Sequence, residues 1–546
     1  MADISYASKA ATVGARHSFW GVWLAFAACA VFFAFQLLTI NYGTRINDLA
    51  HIRDHQIEKI DIDNSALNRA AIAVSNTGGA ETLDRWMLRY KLYSIEADEV
   101  VNVMALARIN PAFGQFDPHF YQYGGAFLYP LGGWFYASAK LGLLPLGSLD
   151  VLLADPDRMD KVYAWGRAFV LAAFTLSGFV LFLTLRMVAR PSIAIAGTGI
   201  YLFCPASIMF SVVMKPHWYA LLYVTCALFL VVSLFERRKQ RRWEECALAL
   251  CLGLAVGSVT TLGLFAALVW CALFVAVARG LIDWVPLVRV PASSLAVYAL
   301  SNPFALVNWR ALAIEGESAA GWYAPSIAPT DLWAFVENSF LPGFGVGFGL
   351  LLLFVLAREL ARPSFAGARG IAAALGLALA LAAVVTAAHS VWHTNLRYVP
   401  YVLPAGLLLL AASRHVRISA FAVALMATLV QSVPTKLAYV DENDPEHSTR
   451  LLAGAWIDAN LPSGSGVCLP TLTPTPYDVP PFDLARFAIN APGCAFRVVI
   501  EREGSDERPD EGFAVMRRFR PRLSPDWLPG FTNHVNPQIT IYRRAT

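Results

Sequence analysis

Two adjacent carboxylates, Asp98 and Glu99, open an otherwise apolar stretch, DEVVNVMALARI, running to Ile109. A carboxylate held beside a hydroxyl can take its proton, so the pair could supply a general base, or bind a metal ion. The same acids also suit a helix N-terminus, where the dipole favours negative charge. Asp48 is a second acid candidate, or else a solvated loop carboxylate. Asp117-Pro-His119-Phe-Tyr121-Gln-Tyr123 places a His and two phenols together, as a binding cluster or an aromatic membrane anchor. Lys215-Pro-His217-Trp interrupts two long apolar runs. A cation there meets a phosphate or headgroup, or snorkels to the interface. HSVWHTNLRYVPYVLP holds His389, His393, Asn395 and Arg397. The planar fork of Arg397 can grip phosphate oxygens in pairs. Arg167 is a weaker case of the same kind, and Glu315 and Glu317 read as solvated loop acids.

The chemistry of soluble phosphate and metal enzymes is missing. There is no G-x-x-x-x-G-K-[ST], no dinucleotide fingerprint and no H-E-x-x-H. Gly343-Phe-Gly-Val-Gly-Phe-Gly follows no strand and reads as close helix packing or a flexible helix entry. Of eight cysteines, Cys29, Cys204, Cys226, Cys246, Cys251 and Cys271 lie in apolar runs as packing residues. Cys468 and Cys494 stand apart in a polar tail, where an oxidising compartment would permit a disulfide. No spacing supports a zinc site.

The elements that must position these residues are membrane helices. The 546 residues are 57% hydrophobic and 15% charged, which excludes disorder and argues against a soluble enzyme. A net charge of +4 with scattered basic residues leaves no nucleic-acid footprint. Trp20–Ile40 reads as an uncleaved first helix rather than a signal peptide, because no A-x-A-like site ends it. Further runs lie near 162–185, 192–213, 217–235, 244–259, 262–278, 290–307, 343–357, 370–388, 398–413 and 418–433. That predicts an all-α polytopic bundle of about eleven transmembrane helices. Gly257, Ser258, Thr260, Thr261 and Gly263 mark the break inside the fifth and sixth.

With the N-terminus cytoplasmic, Arg186, Arg190, the ERRKQRR loop, Arg279, Arg289, Arg358, Arg362, Arg369, Arg414 and Arg417 all fall inside. That holds only if 121–144 does not cross. Its glycines and Pro130 fit a surface-lying or re-entrant helix. Two parts then lie outside. One is the long loop 41–161 within the membrane domain 1–433. The other is the polar, Pro-rich segment 434–546, expected to form a small α/β domain. A Ser-capped helix from Ser448 to Asn460 and strands at 467–469, 496–500 and 538–542 are predicted there.

The order of these motifs resembles the GT-C superfamily of polyprenyl-phosphate-sugar-dependent glycosyltransferases, nearest its protein-mannosyltransferase and aminoarabinose-transferase-like bacterial branch. Ala97-Asp-Glu matches that branch's Pro-Asp-Glu, with Ala in place of Pro. Asp117-Pro-His-Phe-Tyr-Gln-Tyr-Gly-Gly matches its aromatic motif, and Ser301-Asn-Pro-Phe resembles a T-x-P-Y helix end. Leu396-Arg-Tyr-Val-Pro-Tyr-Val-Leu-Pro resembles its late Arg-Tyr helix, and Ala455-Trp-Ile-Asp-Ala-Asn-Leu-Pro the opening of its outer domain. The resemblance implies sugar transfer, with inversion, on the periplasmic face of a bacterial inner membrane. The donor would be a polyprenyl-phosphate-linked sugar, and the acceptor a lipid, glycan or protein. Asp98 would be the base, with Glu99 beside it and Asp48 the alternative. Lys215 and Arg397 would hold the phosphate, with His119, Tyr123, His217 and His393 among the substrate-binding residues. A divalent metal is neither required nor excluded. A lipid or polysaccharide transporter or flippase is the first rival reading. It predicts paired repeats and mid-membrane charges, whereas here the ionisable residues gather at one face. A non-catalytic envelope assembly protein is the second.

Overall fold

A computed structural model describes residues 2–44, 49–56, 83–236, 241–322, 329–361, 367–388, 396–469, 479–501, 512–523 and 535–545. Helices occupy each of the apolar stretches, since backbone groups inside a bilayer must pair within their own segment. Five are long and apolar enough to cross: Trp20–Leu37, Asp157–Val188, Pro216–Glu236, Thr260–Ala278 and Ile418–Glu442. The others include Pro191–Phe203, Arg242–Ser258, Val285–Ser301, Val346–Ala361, Gly367–Ala388 and Val402–Ala412. By length and composition these five are the candidate crossings among the described residues, and the expected count of about eleven goes beyond them. Leu300, Val423 and Val430 point outward and stay exposed, as contact with lipid requires.

Two breaks follow from residue chemistry. The expected helix 192–213 is two helices, Pro191–Phe203 and Pro205–Phe210, because Pro205 holds Cys204 in an extended conformation (φ −67°, ψ 153°). Arg242–Ser258 ends where Val259 turns extended, and a 3₁₀ turn Thr260–Leu262 follows. Gly124 and Gly125 press against this second break. The N–H of Gly124 donates to the Ser258 carbonyl at 3.0 Å, and that of Gly125 to Asn302 Oδ1 at 2.8 Å. A Cβ on Gly124 would stand 1.8 Å from the Gly257 carbonyl oxygen, so only glycine permits the approach. The helix that starts there, Gly125–Lys140, has 16 residues and is shorter than a spanning helix needs.

The loop 41–161 is structured, with helices Ala50–Arg53, Leu83–Leu92, Ala97–Ala107 and Leu149–Ala154 besides Gly125–Lys140. Its Ile52, Trp86, Met87 and Tyr90 share one core with Ile457, Val498 and Ile541 of the C-terminal part. The last long helix runs on to Glu442, past the expected boundary at 433, before the C-terminal part begins. Ser448 caps Thr449–Asn460 as predicted, its Oγ accepting from the Leu451 N–H at 3.3 Å. The sheet comprises β1 (Gly466–Cys468), β2 (Ala488–Ile489), β3 (Phe496–Glu501), β4 (Phe513–Phe519) and β5 (Gln538–Arg544), in the order β2-β1-β3-β5-β4. β1 runs parallel to β2 and β3, while β5 is antiparallel to β3 and β4.

Cys468 and Cys494, left open by the sequence, are joined by a disulfide at a separation of 26 residues. Closing a loop of that length constrains the unfolded chain and is worth about 3 kcal/mol. Reductant should therefore lower the unfolding midpoint of the C-terminal part in the full chain, read by limited proteolysis. The Cys468→Ala/Cys494→Ala variant should start at the lower midpoint and not respond to reductant.

Candidate active site

The site lies at the rim of the bundle where the first helix ends. Two charge clusters, one buried and one open, meet there. Glu99 belongs to the buried one. Its carboxylate accepts from Arg167 Nε at 2.9 Å and Nη2 at 2.7 Å, from the Met214 N–H at 2.8 Å, and from Ser94 Oγ at 2.5 Å. Arg167 Nη1 donates onward to the carbonyls of Ile40 and Tyr42, and the guanidinium lies 4.0 Å from the centre of the Tyr42 ring. Both side chains of the pair are fully buried. The clamp thus ties four segments together: the end of the first helix, the helix Ala97–Ala107, the helix Asp157–Val188, and the turn before Lys215. Glu99 has its acceptor positions filled, so its part is to fix its neighbours' positions rather than to meet a substrate. Removing one partner of a buried ion pair leaves an uncompensated charge. Glu99→Ala should lower the stability of the detergent-solubilised protein by about 3–5 kcal/mol, read as a loss of monodisperse protein and a lower Tm.

Asp98, one residue earlier, turns to a different side of the helix and belongs to the open cluster. Lys215 Nζ donates to Asp98 Oδ2 at 2.7 Å and to Glu96 Oε1 at 2.5 Å. Arg397 Nη1 stands 3.2 Å from Asp98 Oδ2 and 3.9 Å from Glu96 Oε1. Two acids and two cations balance. Their exposures differ: Lys215 is 5%, Glu96 14%, Arg397 19% and Asp98 41% exposed at the side chain. Asp98 is therefore the carboxylate of this cluster most open to an incoming group. Desolvation favours its neutral form, but Lys215 and Arg397 outweigh that and hold the Asp98 carboxyl below the usual carboxylate range. Desolvation and Arg397 act against the charge of Lys215, yet Asp98 and Glu96 prevail and raise its pKa.

Glu96 is the residue that sequence reasoning missed. It precedes the helix Ala97–Ala107, and its signal in the sequence is E-A-D-E, which places three acids within four residues. His217 lies on the same side as Lys215, in electrostatic reach of Arg397 and Asp98, and its ring meets Tyr123 edge-on at 5.9 Å. Tyr123 is fixed in turn by a β-bridge to Val259, at the break held by Gly124. His119 is placed elsewhere. It joins Asp117, Tyr121, Asn308 and Glu315 beyond the other end of the Asp98 helix. Glu315, expected to be a solvated loop acid, instead accepts from the Tyr121 N–H at 3.0 Å. Asp48, His389, His393 and Asn395 lie outside the described residues. Among the described residues no three His, Cys, Asp or Glu side chains converge as a metal ion would need, and Asp98 and Glu96 face cations instead.

No protein-family model and no curated protein sequence matches the chain. Solved structures with a similar arrangement exist. ArnT from Cupriavidus metallidurans bound to undecaprenyl phosphate is similar over 88% of this chain and 97% of that one, at 13% identity and a TM-score of 0.43. The archaeal oligosaccharyltransferase AglB from Archaeoglobus fulgidus, in complex with an inhibitory peptide and a dolichol-phosphate, is similar over 78% of this chain, at 14% identity and a TM-score of 0.40. This chain spans 65% of the length of AglB. At these scores the likeness is one of outline, and the chemistry below rests on this chain's own side chains.

Proposed function

We propose that the chain is an integral inner-membrane glycosyltransferase that moves a sugar from a polyprenyl-phosphate carrier to a lipid, glycan or protein acceptor on the periplasmic face. The observation that carries this reading is the convergence of Asp98 with Lys215 and Arg397 at one rim of the bundle. Each part matches a need of the reaction. The phosphate of the carrier is an anion at headgroup depth, and two cations wait there. The acceptor hydroxyl must lose a proton, and an ionised carboxylate lies within reach. In the step, the acceptor oxygen attacks the anomeric carbon and its proton passes to Asp98 Oδ. The bond from that carbon to the phosphate oxygen breaks, with inversion, and the polyprenyl phosphate leaves. Charge grows on its oxygens in the transition state, where Lys215 and Arg397 stabilise it.

Orientation is supported by two independent features. Lys and Arg crowd the opposite loops, as a cytoplasmic face requires. The disulfide needs an oxidising compartment. The disulfide-bearing part and the site share a rim: the Gly43 N–H donates to Asn443 Oδ1 at 2.7 Å, and the carbonyl of neighbouring Tyr42 accepts from Arg167. The deciding assay follows label from polyprenyl-phosphate sugars in nanodiscs holding wild type or Asp98→Asn. Turnover by the wild type that Asp98→Asn loses supports the reading. Full transfer by Asp98→Asn removes the base. Undecaprenyl-phosphate binding without turnover from any donor favours a transporter or assembly role.

A further inference from the structure

A second polar cluster lies at the other end of the Asp98 helix, and the mechanism above leaves it unused. Arg108, just past Ala107, is about 15 Å from Asp98 along the helix axis. Its Nη1 donates to the carbonyls of Pro118 at 3.2 Å and His119 at 2.8 Å. Asp117 accepts from the Tyr121 hydroxyl at 3.0 and 3.1 Å, from Asn308 Nδ2 at 2.8 Å, and from the His119 N–H at 2.9 Å. His119 is left-handed (φ 48°), a conformation that a residue with a side chain rarely adopts. Arg108 and Asp117 hold it there, and they leave its imidazole 64% exposed. Strain maintained in this way clusters at functional sites. Beside these groups opens a cavity of about 530 Å³, lined by His119, Tyr121, Asn308, Trp309, Arg310 and Glu315. That volume suits a small-molecule ligand.

The lining decides which ligand. It offers the exposed indole of Trp309, one side of which carries the Arg310 guanidinium 5.6 Å from the ring centre, together with donors and acceptors on planar groups of both charges. A sugar ring presents an apolar C–H face and a belt of hydroxyls, each able to donate and accept. The indole suits the first, and Glu315, Arg310 and His119 suit the second. A phosphate would meet Glu315 and Asp117 as well as the cations. Peptides are commonly taken along a strand edge, in an apolar helix groove, in an aromatic-lined groove or by an Arg cluster; the lining here comes from a turn and from helix ends, with one exposed indole and a single arginine set against Glu315. We infer that this cavity is an acceptor subsite and that the acceptor is a carbohydrate of several rings. Its distal ring stacks on Trp309 while its reacting hydroxyl reaches Asp98. The inference names the acceptor class for the glycosyltransferase reading, and it rests on that reading.

Its test uses the full-length protein in nanodiscs. Saturation-transfer NMR is recorded with hexose and N-acetylhexosamine oligomers of one to four rings, and with Ser- and Thr-containing peptides of matching length. Undecaprenyl phosphate is titrated in parallel. The expected result is saccharide binding that strengthens with ring number. Trp309→Ala and Glu315→Gln each weaken it by about tenfold and leave the affinity for undecaprenyl phosphate unchanged. Three outcomes overturn the subsite and leave the enzyme reading standing, provided the wild type still takes undecaprenyl phosphate: preference for the peptides, equal saccharide binding by the variants, or no saccharide binding. A wild type that binds no undecaprenyl phosphate overturns the reading beneath it.

Discussion

Asp98→Asn should lower kcat for sugar transfer by roughly 10²–10⁴-fold, the span expected for loss of a positioned general base. It should bind undecaprenyl phosphate at least as tightly as the wild type. The two effects oppose each other because the proposed mechanism gives Asp98 two parts. In the free protein it occupies Lys215 and Arg397, at 2.7 and 3.2 Å. A lipid phosphate must share those cations, so Asp98 competes with the donor. The amide of Asn cannot accept the proton, but it also withdraws a negative charge from the path of an anion. A structural defect would instead weaken binding and turnover together.

The same geometry fixes a pH dependence. Desolvation works against the charge of Asp98 in the free protein, yet Lys215 and Arg397 hold its carboxyl below the usual range. The base is lost as pH falls and Asp98 protonates. The acid limb of kcat/KM, which reports the free enzyme, should therefore lie below the usual carboxylate range. In the complex the phosphate draws on both cations and adds its own negative charge. The pKa of Asp98 then rises, and the acid limb of kcat should lie at higher pH than that of kcat/KM. Coincident limbs would mean that the phosphate does not share these cations. Donor binding, in this scheme, makes Asp98 a better base just when the acceptor hydroxyl needs one.

Residue types carried much of this site in the sequence, because charges near the membrane are costly and so conspicuous. Asp98, Lys215 and Arg397 stood out in that way. Their meeting did not, since Lys215 lies 117 residues from Asp98 and only the packed helices bring them together. The difference between Asp98 and Glu99 was also hidden. Adjacent helical residues point about 100° apart, so one faces Lys215 and Arg397 and the other the buried Arg167, and composition cannot say which. The disulfide stayed open because pairing depends on β1 and the turn before β3 lying side by side. β4 escaped because its central residues are exposed on both faces and show no alternation. The break at Cys204 was legible in Pro205 but was masked by the apolar run around it. Pro434, by contrast, sits inside a helix that continues to Glu442, past the helix end near 433 that the apolar run suggested.

Removing the cations should affect the carrier more than the fold, provided charge balance is kept. Arg397→Ala should weaken undecaprenyl-phosphate binding by roughly 10–100-fold, the worth of a charge-assisted hydrogen bond. It should lower kcat by a further factor of roughly 10² or more, because charge grows on the leaving phosphate. Arg397→Lys should recover only part of the loss, since an ammonium lacks the planar fork. Lys215 is harder to test alone. It is almost wholly buried and neutralises Glu96 as well as Asp98, so Lys215→Met leaves two acids facing the single cation Arg397 and threatens folding. Adding Glu96→Gln removes one of those charges and leaves Arg397 facing Asp98. The double variant should regain the thermal stability that Lys215→Met loses, yet still bind undecaprenyl phosphate at least tenfold more weakly than wild type, read by titration in nanodiscs. Recovery of both stability and affinity would show Lys215 to be a packing cation that neutralises Glu96. The phosphate contact would then fall to Arg397 alone.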